Sequence, residues 1–144
     1  MKMRHVAVLT ASAAAAVGVA SGSAGAAPMH TRDTAIAFAY LDALISHDAS
    51  AVPFAPDATR FEAGLQTGFS GPQLTYDLEH GPQYSLVQRF YNLRLTEADG
   101  VVTARYLLDS GVAGVRLVTV DITETFAISD GLIHTIDATI VPVG

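Results

Sequence analysis

From Asp33 to His47 the apolar positions recur at helical spacing. Ala37, Tyr40, Leu41, Leu44 and Ile45 form one stripe, and Asp42 and Ser46 fall off it. Thr31 or Asp33 can cap the start. So short a helix is stabilised mainly by packing its stripe on another element. Pro53 and Pro56 stop it from continuing. Thr59–Thr67 predicts a small hairpin turning near Ala63-Gly64, and Gly71-Pro72 opens a second helix that runs to Glu79 and is closed by Gly81-Pro82. From Tyr84 onward the period changes to two. Strands are predicted over 84–95, 101–109, 116–128 and 132–141, joined by turn-forming Glu97–Gly100, Ser110–Gly114 and Asp130-Gly131. Such short connections make neighbouring strands antiparallel. Helices first and strands after predict an α+β fold: a curved antiparallel sheet of four long strands plus a small hairpin, wrapped around N-terminal helices into a cone with a pocket.

The last hairpin bears on chemistry. Asp130-Gly131 favours a two-residue type I′ turn, which pairs Ser129 with Leu132, Ile128 with Ile133, Phe126 with Thr135 and Glu124 with Asp137. Directly opposed residues share a face. Val118, Val120, Ile122, Glu124, Phe126 and Ile128 form a row that is apolar except for Glu124, and so predict the core face. The Thr-rich row Leu117, Thr119, Asp121, Thr123, Thr125 and Ala127 faces water or a partner. Two carboxyls set side by side in apolar surroundings resist joint ionisation, so Glu124 and Asp137 become a candidate catalytic acid–base pair. Solvation of both acids, or neutralisation by Arg105 or Arg116, is the structural alternative. A three-residue loop would instead set Glu124 against Ile136 and turn His134 inward. In the favoured register Leu132, His134, Ile136 and Ile140 lie on the outer face, an apolar patch that a homodimer or a covering helix would bury.

Composition narrows the setting. Met1–His5 is basic, Val6–Ala20 is an uncharged Ala- and Val-rich run, and small residues lead to Ala26. This is the layout of a Sec-type signal peptide over residues 1–26, so the chain is expected to be secreted or extracytoplasmic. A short segment, 27–32, would precede the domain at 33–144. Without residues 1–26, six arginines and 14 acidic residues leave a formal charge of −8, which repels phosphate backbones and argues against nucleic-acid binding. The absence of cysteine excludes thiol chemistry and thiolate metal sites. The histidines show no metal-binding spacing, Gly68-Phe-Ser-Gly71 is no nucleophile elbow, and no cofactor fingerprint occurs. Glu62, just before the Ala63-Gly64 turn, is either a ligand-binding acid at the pocket mouth or simply solvated. Tyr106, in the row Val102, Ala104, Tyr106, Leu108, is core with a hydroxyl that needs a partner, or a donor into the pocket. His47 reads as a helix-end residue.

The motifs Tyr40-Leu-Asp-Ala-Leu44 with His47-Asp48, and Phe126-x-Ile128-x-Asp130-Gly131-x-Ile133, resemble the first helix and last hairpin of the SnoaL-like branch of the cone-shaped superfamily. That superfamily includes ketosteroid isomerase, scytalone dehydratase, limonene epoxide hydrolase and nuclear transport factor 2. Val52–Asp57, Phe61-Glu62-x-Gly64 and Gly81–Tyr84 look like exported proteins of an actinobacterial-type group. The resemblance runs from about Asp33 to Val143. It implies a cone whose pocket holds a small apolar molecule, lined by Tyr40, Tyr106, Val120, Ile122 and Phe126, with Glu62 at its mouth and Glu124 and Asp137 as its polar end. It also implies isomerase, dehydratase or epoxide-hydrolase chemistry as an alternative, with a non-catalytic dimerisation module as a third. Tyr40 or Tyr106 with Asp137 would stand for the isomerase set, His134 for the dehydratase histidine, and Asp109, Arg105 and Asp137 for the epoxide-hydrolase Asp-Arg-Asp set.

Overall fold

The computed structural model describes residues 31–144; the expected signal peptide and residues 27–30 lie outside the described residues. Helix α1 spans Arg32–Ser46, with Thr31 as its cap: the Thr31 hydroxyl accepts from the Thr34 backbone N–H. The stripe read from the sequence buries Ala37, Tyr40, Leu41 and Leu44. His47 ends the helix in the left-handed region at φ 58°, its N–H bonded to Ala43 O, and its ring Nδ1 lies 3.3 Å from Leu78 O of the second helix.

Strands β1 (Phe54–Glu62) and β2 (Leu65–Gly68) form the small hairpin. β1 starts earlier than the sequence predicts and runs through Pro56. β6 pairs with Phe54 and again from Thr59 onward but not with the residues between them, so at Pro56 a residue without an N–H costs nothing on that side. Helix α2 spans Gly71–His80, capped by Ser70 with Pro72 in its first turn. A single 3₁₀ turn, Tyr84–Leu86, leads into β3 (Val87–Ala98), β4 (Val101–Val112), β5 (Val115–Ser129) and β6 (Leu132–Val143). The sheet order is β2-β1-β6-β5-β4-β3. All neighbours are antiparallel except β1 and β6, which run parallel. This is the expected α+β cone. α1 lies inside the curve of the sheet, where Tyr40 packs edge-on to Phe126 at 5.3 Å between ring centres.

The β5–β6 register overturns one expectation. The two-residue turn pairs Ser129 with Leu132 and Ile128 with Ile133 as predicted, but the register shifts between Ile128 and Ala127, which faces Thr135. His134 is the extra residue. This bulge lies where β1 joins β6: Ile133 N donates to Pro53 O and Thr135 pairs with Thr59. One added residue moves every later side chain of β6 to the other face. Asp137 therefore faces Thr125 and Phe61 on the outer surface, where it is exposed, and Glu124 faces Ala138. The predicted Glu124–Asp137 pair does not form. The same shift dissolves the predicted outer patch: Ile136 is fully buried and Ile140 packs against the core, leaving Leu132 and His134 without their apolar neighbours. His134 is not turned into the core either; its Nε2 lies 3.3 Å from Ser129 O near the surface.

Candidate functional site

Three cross-strand rows build the inner face over α1. Tyr106 faces Ile122, which faces Ile140; Ala104 faces Glu124, which faces Ala138; and Val102 faces Phe126, which faces Ile136. Glu124 thus has an alanine directly opposite on both sides. Small neighbours leave its carboxyl room, and the tyrosine one row along reaches diagonally across: Tyr106 Oη donates to Glu124 Oε2 at 2.7 Å. Among the described residues no other group bonds this carboxyl, so Oε1 remains available to a ligand.

A cavity of about 230 Å³ opens on this face. Its apolar walls include Leu44, Val87, Leu108, Val120, Ile122 and Ile140, and the polar residues that line it include Tyr40, Glu62, Gln83, Tyr106, Ser110 and Glu124; Tyr84 lines it with its ring, its hydroxyl being buried. Of the residues expected to line a pocket, Tyr40, Glu62, Tyr106, Val120 and Ile122 do so. Phe126 does not: it is fully buried beneath Tyr40, one row deeper than the floor. Asp137 is not at the polar end, for the register reason given above.

Arg60 belongs to the surroundings of Glu124 without having been expected there. It follows Ala58 on the inward-facing side of β1 and is wholly buried. Its Nε lies 3.1 Å from Glu62 Oε1 and also 3.1 Å from Thr67 Oγ1, which in turn donates to Glu62. Its Nη2 reaches Asp77 Oδ2 of α2 at 3.5 Å. The guanidinium stacks on the Tyr84 ring, with Cζ 5.3 Å from the ring centre. Alternation with Ala58 was the sequence signal for this inward cation, and Tyr84 follows a Gly-Pro pair that closes α2.

Burial governs the electrostatics. Loss of water lifts the Glu124 carboxyl from the ordinary 4.5 to about 7; the Tyr106 hydrogen bond pulls it down, Glu62 pushes it further up and Arg60 pulls it down. Burial, with Glu124 nearby, also holds the Tyr40 and Tyr106 hydroxyls well above the usual tyrosine range, so both stay protonated. The site is therefore one carboxyl poised near neutrality and hydrogen-bonded to one phenol, not two acids sharing a proton.

The other resemblance-based sets do not assemble. Asp109, Arg105 and Asp137 all point away from the cavity. Asp109 accepts from Thr119 Oγ1 at 2.7 Å, Arg89 Nε at 2.7 Å and Tyr91 Oη at 3.3 Å, and these bonds, that from Thr119 foremost, hold its carboxyl below the usual range. Arg105 bonds Asp121 at 3.3 Å across the outer face.

Residues 29–140 match the family model described as "Domain of unknown function (DUF8021)". Among curated proteins none matches the chain. The solved structures that are similar include an LEH-like epoxide hydrolase of M. tuberculosis, at TM-score 0.65 and 19% identity over 78% of this chain and 85% of that one. An NTF-2 like protein of unknown function from Burkholderia xenovorans LB400 gives TM-score 0.62 and 13% identity over 78% and 85%. A protein with a ketosteroid isomerase-like fold from Catenulispora acidiphila, solved with trimethylamine, gives 0.55 and 14% over 72% and 83%. These likenesses identify the fold as the NTF2-like, SnoaL-like cone expected from the sequence. At such identities they carry no activity across.

Proposed function

The chain belongs to the DUF8021 family, and we propose that it binds a compact, largely apolar molecule in the cavity between α1 and the sheet. The cavity itself carries this reading: about 230 Å³ of space with largely apolar walls, into which the Glu124 carboxyl and its Tyr106 partner are set. That volume lies below the roughly 300–1,000 Å³ of pockets for drug-sized ligands, so the ligand is smaller than those. Residues 1–26 of the sequence support export, which would place this binding outside the cytoplasm.

The check is a titration with small hydrocarbons and ketones, followed by amide NMR. Shifts should cluster on Leu44, Tyr84, Leu108, Val120 and Ile122, and Val120→Trp, which fills the cavity, should remove them. Shifts that persist in a folded Val120→Trp protein, or none with any compound, would reject the reading.

The poise of Glu124 near neutrality favours a second reading, proton transfer at carbon. Ionised Glu124 would take a proton from the carbon beside a carbonyl through Oε1, leaving an enol(ate), and return a proton on reversal while Tyr106 steadies Oε2. Ketosteroid isomerase-like names among proteins of this fold belong to the same class of chemistry. Deuterium uptake by cyclohexanone in D2O, followed by proton NMR, is expected to exceed the buffer rate, and Glu124→Gln to slow the catalysed part by about 10²-fold or more. An unchanged rate in the variant would leave binding alone.

A further inference from the structure

Glu124 is only 3% exposed, yet one of its oxygens is left over. Tyr106 donates to Oε2, and Oε1 has no partner among the described residues. Oε1 is not sealed off either, for the sealed and partnerless side-chain atoms there are Arg60 Nη1 and Tyr84 Oη alone. Glu124 lines the cavity, so Oε1 is its open oxygen on that space. A second acid, Glu62, lines the same cavity, and no arginine, lysine or histidine does. Arg60 is already answered by two carboxylates, Glu62 at 3.1 Å and Asp77 at 3.5 Å, whereas Glu124 has no ion-pair partner among the described residues. A carboxylate out of water requires a counter-ion to stay ionised. The rings of Tyr40, Tyr84 and Tyr106 belong to the same lining, and aromatic rings attract cations; a guanidinium already lies over that of Tyr84.

We propose that the ligand is a compact alkylammonium ion whose N–H donates to Glu124 Oε1 while its alkyl part lies against Leu108, Val120 and Ile122; this rests on the cavity being a binding site. The ammonium supplies the counter-charge that the buried carboxyl lacks, in a charge-assisted hydrogen bond. A ligand carboxylate would add a third acid to a lining that has no base, with little water to screen it. A metal ion would find too few ligands, for no group of three or more acidic or histidine side chains occurs among the described residues. Binding also displaces a proton, since an ammonium beside Glu124 favours its ionised form. The titratable and charged groups around that carboxyl are Tyr106 of β4, Arg60 and Glu62 of β1, Tyr40 of α1 and Tyr84 of the 3₁₀ turn; its direct neighbours Ala104 and Ala138 have none. The three phenols and the guanidinium are held protonated.

Three probes of matched size test this: cyclohexylamine, which like a lysine side chain stays protonated through pH 8, cyclohexanol and cyclohexanecarboxylate. Each is titrated calorimetrically into the wild-type chain and into Glu124→Gln, which keeps the shape and removes the charge. At pH 8 the amine is expected to bind the wild-type chain at least about tenfold more tightly than the alcohol, and the carboxylate more weakly than both. In the variant the advantage of the amine over the alcohol should vanish. Titrations at pH 6 in two buffers of different ionisation enthalpy count protons, a readout that needs no variant. About 0.9 proton should leave the wild-type chain per amine bound, since Glu124 is mostly protonated there, and none should leave with the alcohol. Glu124→Gln should abolish that release, which assigns the proton to this carboxyl and not to Glu62. An amine that binds no better than the alcohol, that releases no proton, or that keeps its advantage in the folded variant would overturn the ammonium site while the alcohol still reports the cavity. If no probe binds at all, the cavity reading falls and takes the ammonium site with it.

Discussion

Raising the pH from 4 to 8 is expected to cost the protein about 3 kcal/mol of stability through Glu124 alone, and Glu124→Gln is expected to abolish that loss. The sign follows from which state holds the proton. In the unfolded chain Glu124 ionises near its ordinary 4.5, but in the fold it does so near 7. Between those values the native state keeps a proton that the unfolded state has released, so stability falls as pH rises and levels off above about 7. Asp109 and Asp48, held below the usual range, act with the opposite sign, and their effect lies below about pH 4. Glutamine still offers an oxygen to the Tyr106 hydroxyl and brings no charge to bury. Urea unfolding of both proteins at several pH values provides the measurement. The variant should be the more stable at pH 8, by on the order of 10 °C in melting temperature. Curves that run parallel from pH 4 to 8 would show that Glu124 is solvated in the fold.

The other large effect concerns Arg60. Replacing it with methionine removes a wholly buried cation that ties β1 to β2 through Thr67 and to α2 through Asp77. Breaking a buried ion pair by removing one partner costs about 3–5 kcal/mol. Because Glu62 and Asp77 keep some contact with water, the lower end of that range is expected here. Methionine fills much of the arginine stem's volume, so the loss should come mainly from the stranded acids and not from a cavity. Adding Glu62→Gln and Asp77→Asn to Arg60→Met should therefore recover most of the stability, since a neutral replacement of a whole buried cluster is often tolerated. A loss below about 1 kcal/mol in the single variant, read from urea midpoints, would show Arg60 to be dispensable.

Most of the fold was legible along the chain because its signals are local. The α1 stripe, the Pro-started α2, the period-two strands and the Asp130-Gly131 turn each arise from residues close in sequence, and each appears where expected to within a few positions. The pocket was legible in part for the same reason. Tyr106, Val120, Ile122 and Glu124 alternate on their own strands and so declare a common face, and all four line the cavity. Phe126 shares that face but lies one row too deep, a matter of where α1 rests and not of alternation.

The register was legible for two pairs and then failed. The turn sets Ser129 against Leu132 and Ile128 against Ile133, but His134 bulges where β6 meets β1, a strand some 75 positions earlier that runs parallel to it. The predicted acid pair lost Asp137 to the outer surface by that single extra residue. Arg60 and Tyr84 were missed for a related reason: they meet only because β1 and the turn after α2 come together in the fold.

By itself, then, the order of residues determined the elements, the α+β class, the inward row of β5 and the lone acid within it, because each depends on local backbone preference and strand alternation. Only the tertiary structure decided which groups accompany that acid. It set a tyrosine and two alanines beside Glu124 and drew a buried arginine toward a tyrosine with a free hydroxyl. It also sent Asp137 into water, since partners across a sheet are chosen by bulges and by contacts between distant strands that no local pattern records.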